Sequence, residues 1–212
     1  MNAGGHVALL GDSIFDNAGY VPGEPSIIEQ LREALPAGWH ATLLATDGAS
    51  AADAAEQVMQ LPPDVTHLFI SAGGNDALDE SDVLREPAQT VSDALHHIAR
   101  VQSRFRLDYE TLARRVRRSD TPAVFCTVYD AIPSLSAPAA VALTAFNDVI
   151  LRTAFLLRAP VIDLRRVCDE ESDYSTVSEI EPSSHGGAKI ARIVAEVATQ
   201  HDFSIRRSVV YP

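Results

Sequence analysis

Two cysteines in 212 residues are too few for a disulfide-stapled framework. Cys126 and Cys168 each sit in or beside an apolar run, which reads as two buried thiols, although counting alone leaves a single bridge open. Positive charge is also scarce. Seventeen Lys and Arg face 29 Asp and Glu, a net charge of −12, so no general positive field draws in polyanions. The one concentrated basic stretch, Arg114, Arg115, Arg117 and Arg118, reads as a solvated helix end, and no nucleic-acid partner is expected. No run approaches the roughly 20 apolar residues of a membrane span. The amino terminus lacks the basic and apolar regions of a secretory signal, so a cytoplasmic location is expected unless a leader has been removed. Missing motifs exclude further chemistry. There is no GxxxxGK[ST] phosphate loop, no GxGxxG dinucleotide fingerprint, no GxSxG nucleophile elbow and no HExxH zinc motif.

What is present is an alternation of short apolar runs with segments of helical spacing. The runs 6–10, 39–45, 65–71, 123–129 and 160–164 read as five strands. Between and after them, 26–35, 49–61, 91–118, 139–157 and 186–197 carry apolar residues at helical spacing, with 91–118 either one long helix or two. Parallel βαβ units with helices on both faces are the natural solution. No repeat or low-complexity linker divides 1–212, so one domain is expected, with its core over 6–198 and a tail over 199–212. The acidic run 76–86 reads as a solvated loop.

In such folds ligand chemistry collects beyond the carboxyl ends of the strands. The sequence places Gly11-Asp12-Ser13 after the first strand, Asp47-Gly48 after the second, Gly73-Gly74-Asn75-Asp76 after the third and Tyr129-Asp130 after the fourth. Ser13 is the candidate nucleophile. His185, in a turn-rich segment before the last helix, is the candidate base, because an imidazole is suited to proton transfer near neutral pH. The Asn75 amide and the backbone N–H groups of Ser13 and Gly48 are candidate oxyanion donors. Singly, each is also an ordinary helix cap or turn residue. Together, on successive strand ends, they point to a catalytic site, with Asp12, Gly73 and Asp76 shaping its turns.

With these blocks the chain resembles the SGNH hydrolases, the GDSL esterase and lipase family. The resemblance rests on Gly11-Asp12-Ser13, Gly48, Gly73-Gly74-Asn75-Asp76 and His185, and spans 6 to about 198. It implies a flavodoxin-like three-layer α/β/α sandwich on a five-stranded parallel sheet. It also implies ester hydrolysis through an acyl-enzyme, with Ser13 as nucleophile and His185 as its base. That serine chemistry requires no cofactor, and no metal is expected.

One position departs from the family pattern. The aspartate usually found three residues before the histidine is replaced by Pro182. Glu181 is the first choice to orient His185, Asp173 a weaker one, and a Ser-His dyad the remaining option. Leu78, Leu84, Tyr129, Ile132 and Leu135 are candidates for the apolar side of a substrate groove. The expected substrate is a small-molecule ester carrying an acetyl or short acyl group, on a sugar or small metabolite. Lysophospholipase or thioesterase activity, or a silent small-ligand binding module, are the alternatives, and the oligomeric state stays open.

Overall fold

The computed structural model describes residues 4–212. Its sheet is wholly parallel. Strand β1 (His6–Gly11) lies between β2 (His40–Leu43) and β3 (His67–Ser71), and the order continues through β4 (Ala123–Cys126), β5 (Val161–Ile162) and β6 (Val210–Tyr211). The sheet thus has six strands where five were expected. The sixth comes from the segment read as a tail: Val161 N–H donates to the Val209 carbonyl and Asp163 N–H to the Tyr211 carbonyl. A two-residue, partly exposed strand carries no periodicity that a sequence pattern can register.

Among the described residues, seven α-helices occur, in chain order α1 (Ile27–Ala34), α2 (Ala51–Gln57), α3 (Gly74–Asp79), α4 (Val91–Ser119), α5 (Ala137–Leu157), α6 (Leu164–Val167) and α7 (Ser184–Gln200). Strand alternation decides the layers. Val7, Leu9, Phe69, Val124 and Ile162 point to the face covered by α1 and α7. Ala8, Leu10, Leu68, Ile70, Phe125 and Val161 point to the face covered by α2, α4 and α5. The result is a three-layer α/β/α sandwich with both sheet faces buried, which is why its strands read as continuous apolar runs.

Helix α4 is a single unbroken element of 29 residues, capped at Thr90 by a reciprocal bond with Asp93. The acidic run is not a loop but α3 followed by a 3₁₀ turn at Ser81–Arg85. Leu78 and Leu84 project from these turns, and Ala77 and Val83 pack on the core. Helix α5, with 21 residues, is long and apolar enough to cross a membrane, contrary to the expectation that no run is. In this fold it is a layer helix, with Leu143, Phe146, Ile150 and Ala154 buried against α4 and the sheet. Cys126 and Cys168 are buried and unpaired.

Candidate active site

The site begins where β1 runs out. Gly11 has φ +123°, and a β-carbon there would overlap the Ser71 carbonyl of the adjacent strand, so only glycine allows this close exit. The chain then turns, with Ile14 N–H donating to Asp12 Oδ1 at 3.1 Å, and the turn aims Ser13 into a cleft at the carboxyl edge of the sheet. Asn75 reaches the same cleft from the first turn of α3. Its Nδ2 donates to the Ala49 carbonyl at 3.0 Å, which uses one of its two N–H bonds and fixes the amide in the cleft that Ser13 also lines. Gly73, at φ +125°, sits where a β-carbon would come within 2.9 Å of the Phe105 ring. Gly48 adopts the left-handed conformation of its turn, φ +79°, but does not line the cleft.

Ser13 Oγ donates to Glu181 Oε1 at 3.0 Å, and both residues are buried. The loop that carries Glu181 is pinned at several points. Glu181 N–H donates to the Ser178 carbonyl, Ser175 N–H to the Glu181 carbonyl, and Asn17 Nδ2 to the Pro182 carbonyl. Tyr174 and Pro182 form an antiparallel bridge, and the Tyr129 hydroxyl donates to the Ile180 carbonyl at 2.7 Å. The carboxylate facing Ser13 is therefore held by backbone contacts on both sides of it.

His185 is placed elsewhere. It lies in the first turn of α7, its side chain 59% exposed, in an open groove shared with Tyr20, Glu24, Glu171, Ser175 and Arg192. It makes no hydrogen bond to Ser13 or Glu181; its Nε2 lies 3.8 Å from the buried Asp173 Oδ1. The structure thus changes the expected arrangement: Glu181 does not orient His185 but meets Ser13 itself. Asp173, the weaker candidate, is the acid beside His185, and Lys189 Nζ sits 2.9 Å from its Oδ2 and near Glu170 and Asp169. That ammonium already supplies the positive charge among those carboxylates. The sequence signal for Glu181 was its position: an acid joined to proline just before the Ser183 cap of the last helix.

Burial dominates the electrostatics of the cleft. Asp12 is pushed up to about 8 by burial, with the Glu181 charge adding to the effect and the Ile14 N–H opposing it, so its carboxyl is largely protonated at neutral pH. Asp76, whose Oδ2 accepts from Ala51 N–H, is raised to about 6, again mainly by burial. Glu181 is also raised, by burial against the opposing Ser13 hydrogen bond. Its second oxygen, Oε2, is buried without a partner, as is Asp12 Oδ2.

Beyond these polar groups the cleft is apolar. Leu78, Leu84, Tyr129, Ile132 and Leu135 line it as the sequence placed them, and Val101, Leu143 and Phe146 from α4 and α5 form deeper walls. The cleft holds about 140 Å³ and is partly open to solvent.

Comparison with known proteins follows the same lines. The model of the GDSL-like Lipase/Acylhydrolase family matches residues 9–202. Among solved structures, a lipase from a goat rumen metagenome superposes with a TM-score of 0.71 at 18% identity, covering 94% of this chain and 99% of that one. An extracellular lipase from Streptomyces rimosus gives 0.64 at 18% identity, covering 93% and 100%. A catalytic mutant of an acetylxylan esterase from Geobacillus stearothermophilus gives 0.66 at 14% identity, covering 96% and 97%. No match was found among curated proteins. A strand-end serine, an asparagine on the neighbouring strand end and a family match across nearly the whole sandwich lead to one conclusion: this chain is a member of the GDSL-like lipase and acylhydrolase family of carboxylic ester hydrolases.

Proposed function

We propose that the chain hydrolyses small carboxylic esters through an acyl-enzyme on Ser13, with Glu181 in the proton-accepting role. The observation that carries this is the 3.0 Å contact between Ser13 Oγ and Glu181 Oε1 at the head of an apolar cleft. As Oγ attacks the carbonyl carbon, its proton passes to Glu181 and the carbonyl electron pair moves to oxygen. The Ser13 backbone N–H and the second N–H of Asn75 are the donors for that oxyanion; Gly48, outside the cleft lining, is not among them. Collapse breaks the ester bond, and the alkoxide leaves as the alcohol with the proton held by Glu181. Water then gives a proton to Glu181, attacks the acyl carbon and releases the acid, and Ser13 recovers its proton.

A carboxylate, with an ordinary pKa near 4.3, is a weaker base than imidazole near 6.5. Burial narrows the gap by raising Glu181, and the acid limb of the rate profile reports that raised value. A second reading has its own support: with His185 in the open groove, the cleft also suits a ligand-binding module without turnover. A fluorophosphonate probe followed by intact mass separates the two. Wild type and His185→Ala are expected to take one adduct, and Ser13→Ala none. Absence of any adduct on wild type, under conditions that label a known serine hydrolase, favours the binding module.

The similar folds include lipases and acetylxylan esterases. An apolar cleft of about 140 Å³ suits an acyl chain of several carbons better than acetyl; an apolar protein cavity of about 150 Å³ accepts benzene. Each methylene buried is worth about 0.8 kcal/mol, or roughly fourfold. On p-nitrophenyl esters kcat/KM is therefore expected to rise about fourfold per methylene from acetate until the cleft is full. A maximum at acetate contradicts this substrate class.

A further inference from the structure

At the opposite edge of the sheet from Ser13, three side chains converge from three elements. His6 opens β1 and His40 opens β2, where the two residues are register partners, and Asp64 lies in the loop before β3. Asp64 Oδ1 is 3.2 Å from His6 Nδ1 and Oδ2 is 3.3 Å from His40 Nε2. All three donor groups lie within 4.8 Å of one another. The imidazole centroids are 3.9 Å apart, with the ring planes tilted by 34°. His6 is 4% exposed, and its Nδ1 is a buried nitrogen with no hydrogen-bond partner, aimed at the Asp64 carboxylate. Its other nitrogen, Nε2, is held by Thr42 Oγ1 at 2.8 Å, so the ring is fixed in the orientation that presents Nδ1.

We propose that His6, His40 and Asp64 form a binding site for a borderline divalent transition metal, zinc being the type case. Tetrahedral zinc bonded at about 2.0–2.1 Å separates its ligand atoms by about 3.3–3.4 Å, close to the two histidine–Asp64 spacings here. Two imidazoles and one carboxylate are the donor set such an ion takes, and a hydrogen bond on the far nitrogen of a ligating histidine is its usual support. The outer side is open: His40 and Asp64 have side chains 57% and 63% exposed, which leaves water the fourth position. β1 separates this cluster from Ser13 by six residues at about 3.3 Å each, roughly 20 Å, so the ion clamps β1, β2 and the loop before β3 and takes no part in ester chemistry. The second His-carboxylate group, Glu170, Asp173 and His185, differs because Lys189 already occupies it.

The test is titration of the untagged, metal-stripped full chain with zinc chloride, read by calorimetry and by melting temperature. One equivalent is expected to bind, and the melting temperature to rise with zinc concentration as mass action requires. His40→Ala and Asp64→Asn change exposed side chains that the fold does not bury. Each is expected to weaken zinc binding at least tenfold while leaving the zinc-free melting temperature and esterase activity near wild type. His185→Ala is expected to bind zinc as wild type does. No binding by wild type at millimolar zinc, or binding unchanged in a His40→Ala/Asp64→Asn double variant, overturns the proposal.

Discussion

Asp12 and Glu181 flank Ser13 with two buried carboxyl groups, and the fold keeps only part of that charge. Asp12 has a folded value of about 8 against an ordinary 3.8. The folded state therefore holds a proton that the unfolded chain gives up near pH 4. The resulting stabilisation is fully present below about pH 4 and is lost as pH rises through about 8. Asp12→Asn keeps an acceptor for Ile14 N–H and removes the titration. Its melting temperature is expected to gain on wild type progressively between about pH 5 and pH 8, with Asp76 contributing equally to both. A constant difference across that range, followed by calorimetry, contradicts a protonated Asp12. At this scale the sequence was informative about Ser13, Asn75 and the apolar lining, because turn motifs at strand ends fix which way short side chains face. It was not informative about Glu181 and His185. They stand four residues apart, and only the start of α7 decides between them: it carries His185 out on the first helical turn and leaves Glu181 in the pinned loop.

Among the elements, the central strands were legible because both faces are buried, so 7–10 of β1, 68–70 of β3 and all of β4 are apolar. The observed β4 stops at Cys126, short of the expected 129. Beyond it the Val128 N–H and carbonyl pair with the Asn147 side chain of α5, which ends the ladder and leaves Tyr129 free to wall the cleft. A side-chain clasp of this kind has no sequence period. Strand β6 was invisible for a related reason, since it is made by pairing alone, and His201 Nδ1 to the Tyr211 hydroxyl at 2.8 Å is its main side-chain tie. Truncation after Ser208 strips the Val161 and Asp163 N–H groups of their partners. A lost backbone bond costs about 1 kcal/mol, so the melting temperature is expected to fall by several degrees with kcat unchanged. An unaltered melting temperature would show that the edge strand adds nothing to the fold.

For the whole molecule, a parallel sheet sends every strand's carboxyl end to one edge, and that topology assembles Ser13, Asn75 and Glu181 from separate parts of the chain. The central claim is that Glu181, rather than His185, serves Ser13. The most direct measurement is kcat on a short p-nitrophenyl ester for Glu181→Gln and His185→Ala side by side, each checked for a wild-type melting temperature. The isosteric amide keeps a group of the same size beside Ser13 but cannot take up its proton. Glu181→Gln is expected to lose at least roughly 100-fold, and His185→Ala to stay within about twofold of wild type. A His185→Ala variant without activity, beside a Glu181→Gln variant that keeps half the parent rate, would contradict the account.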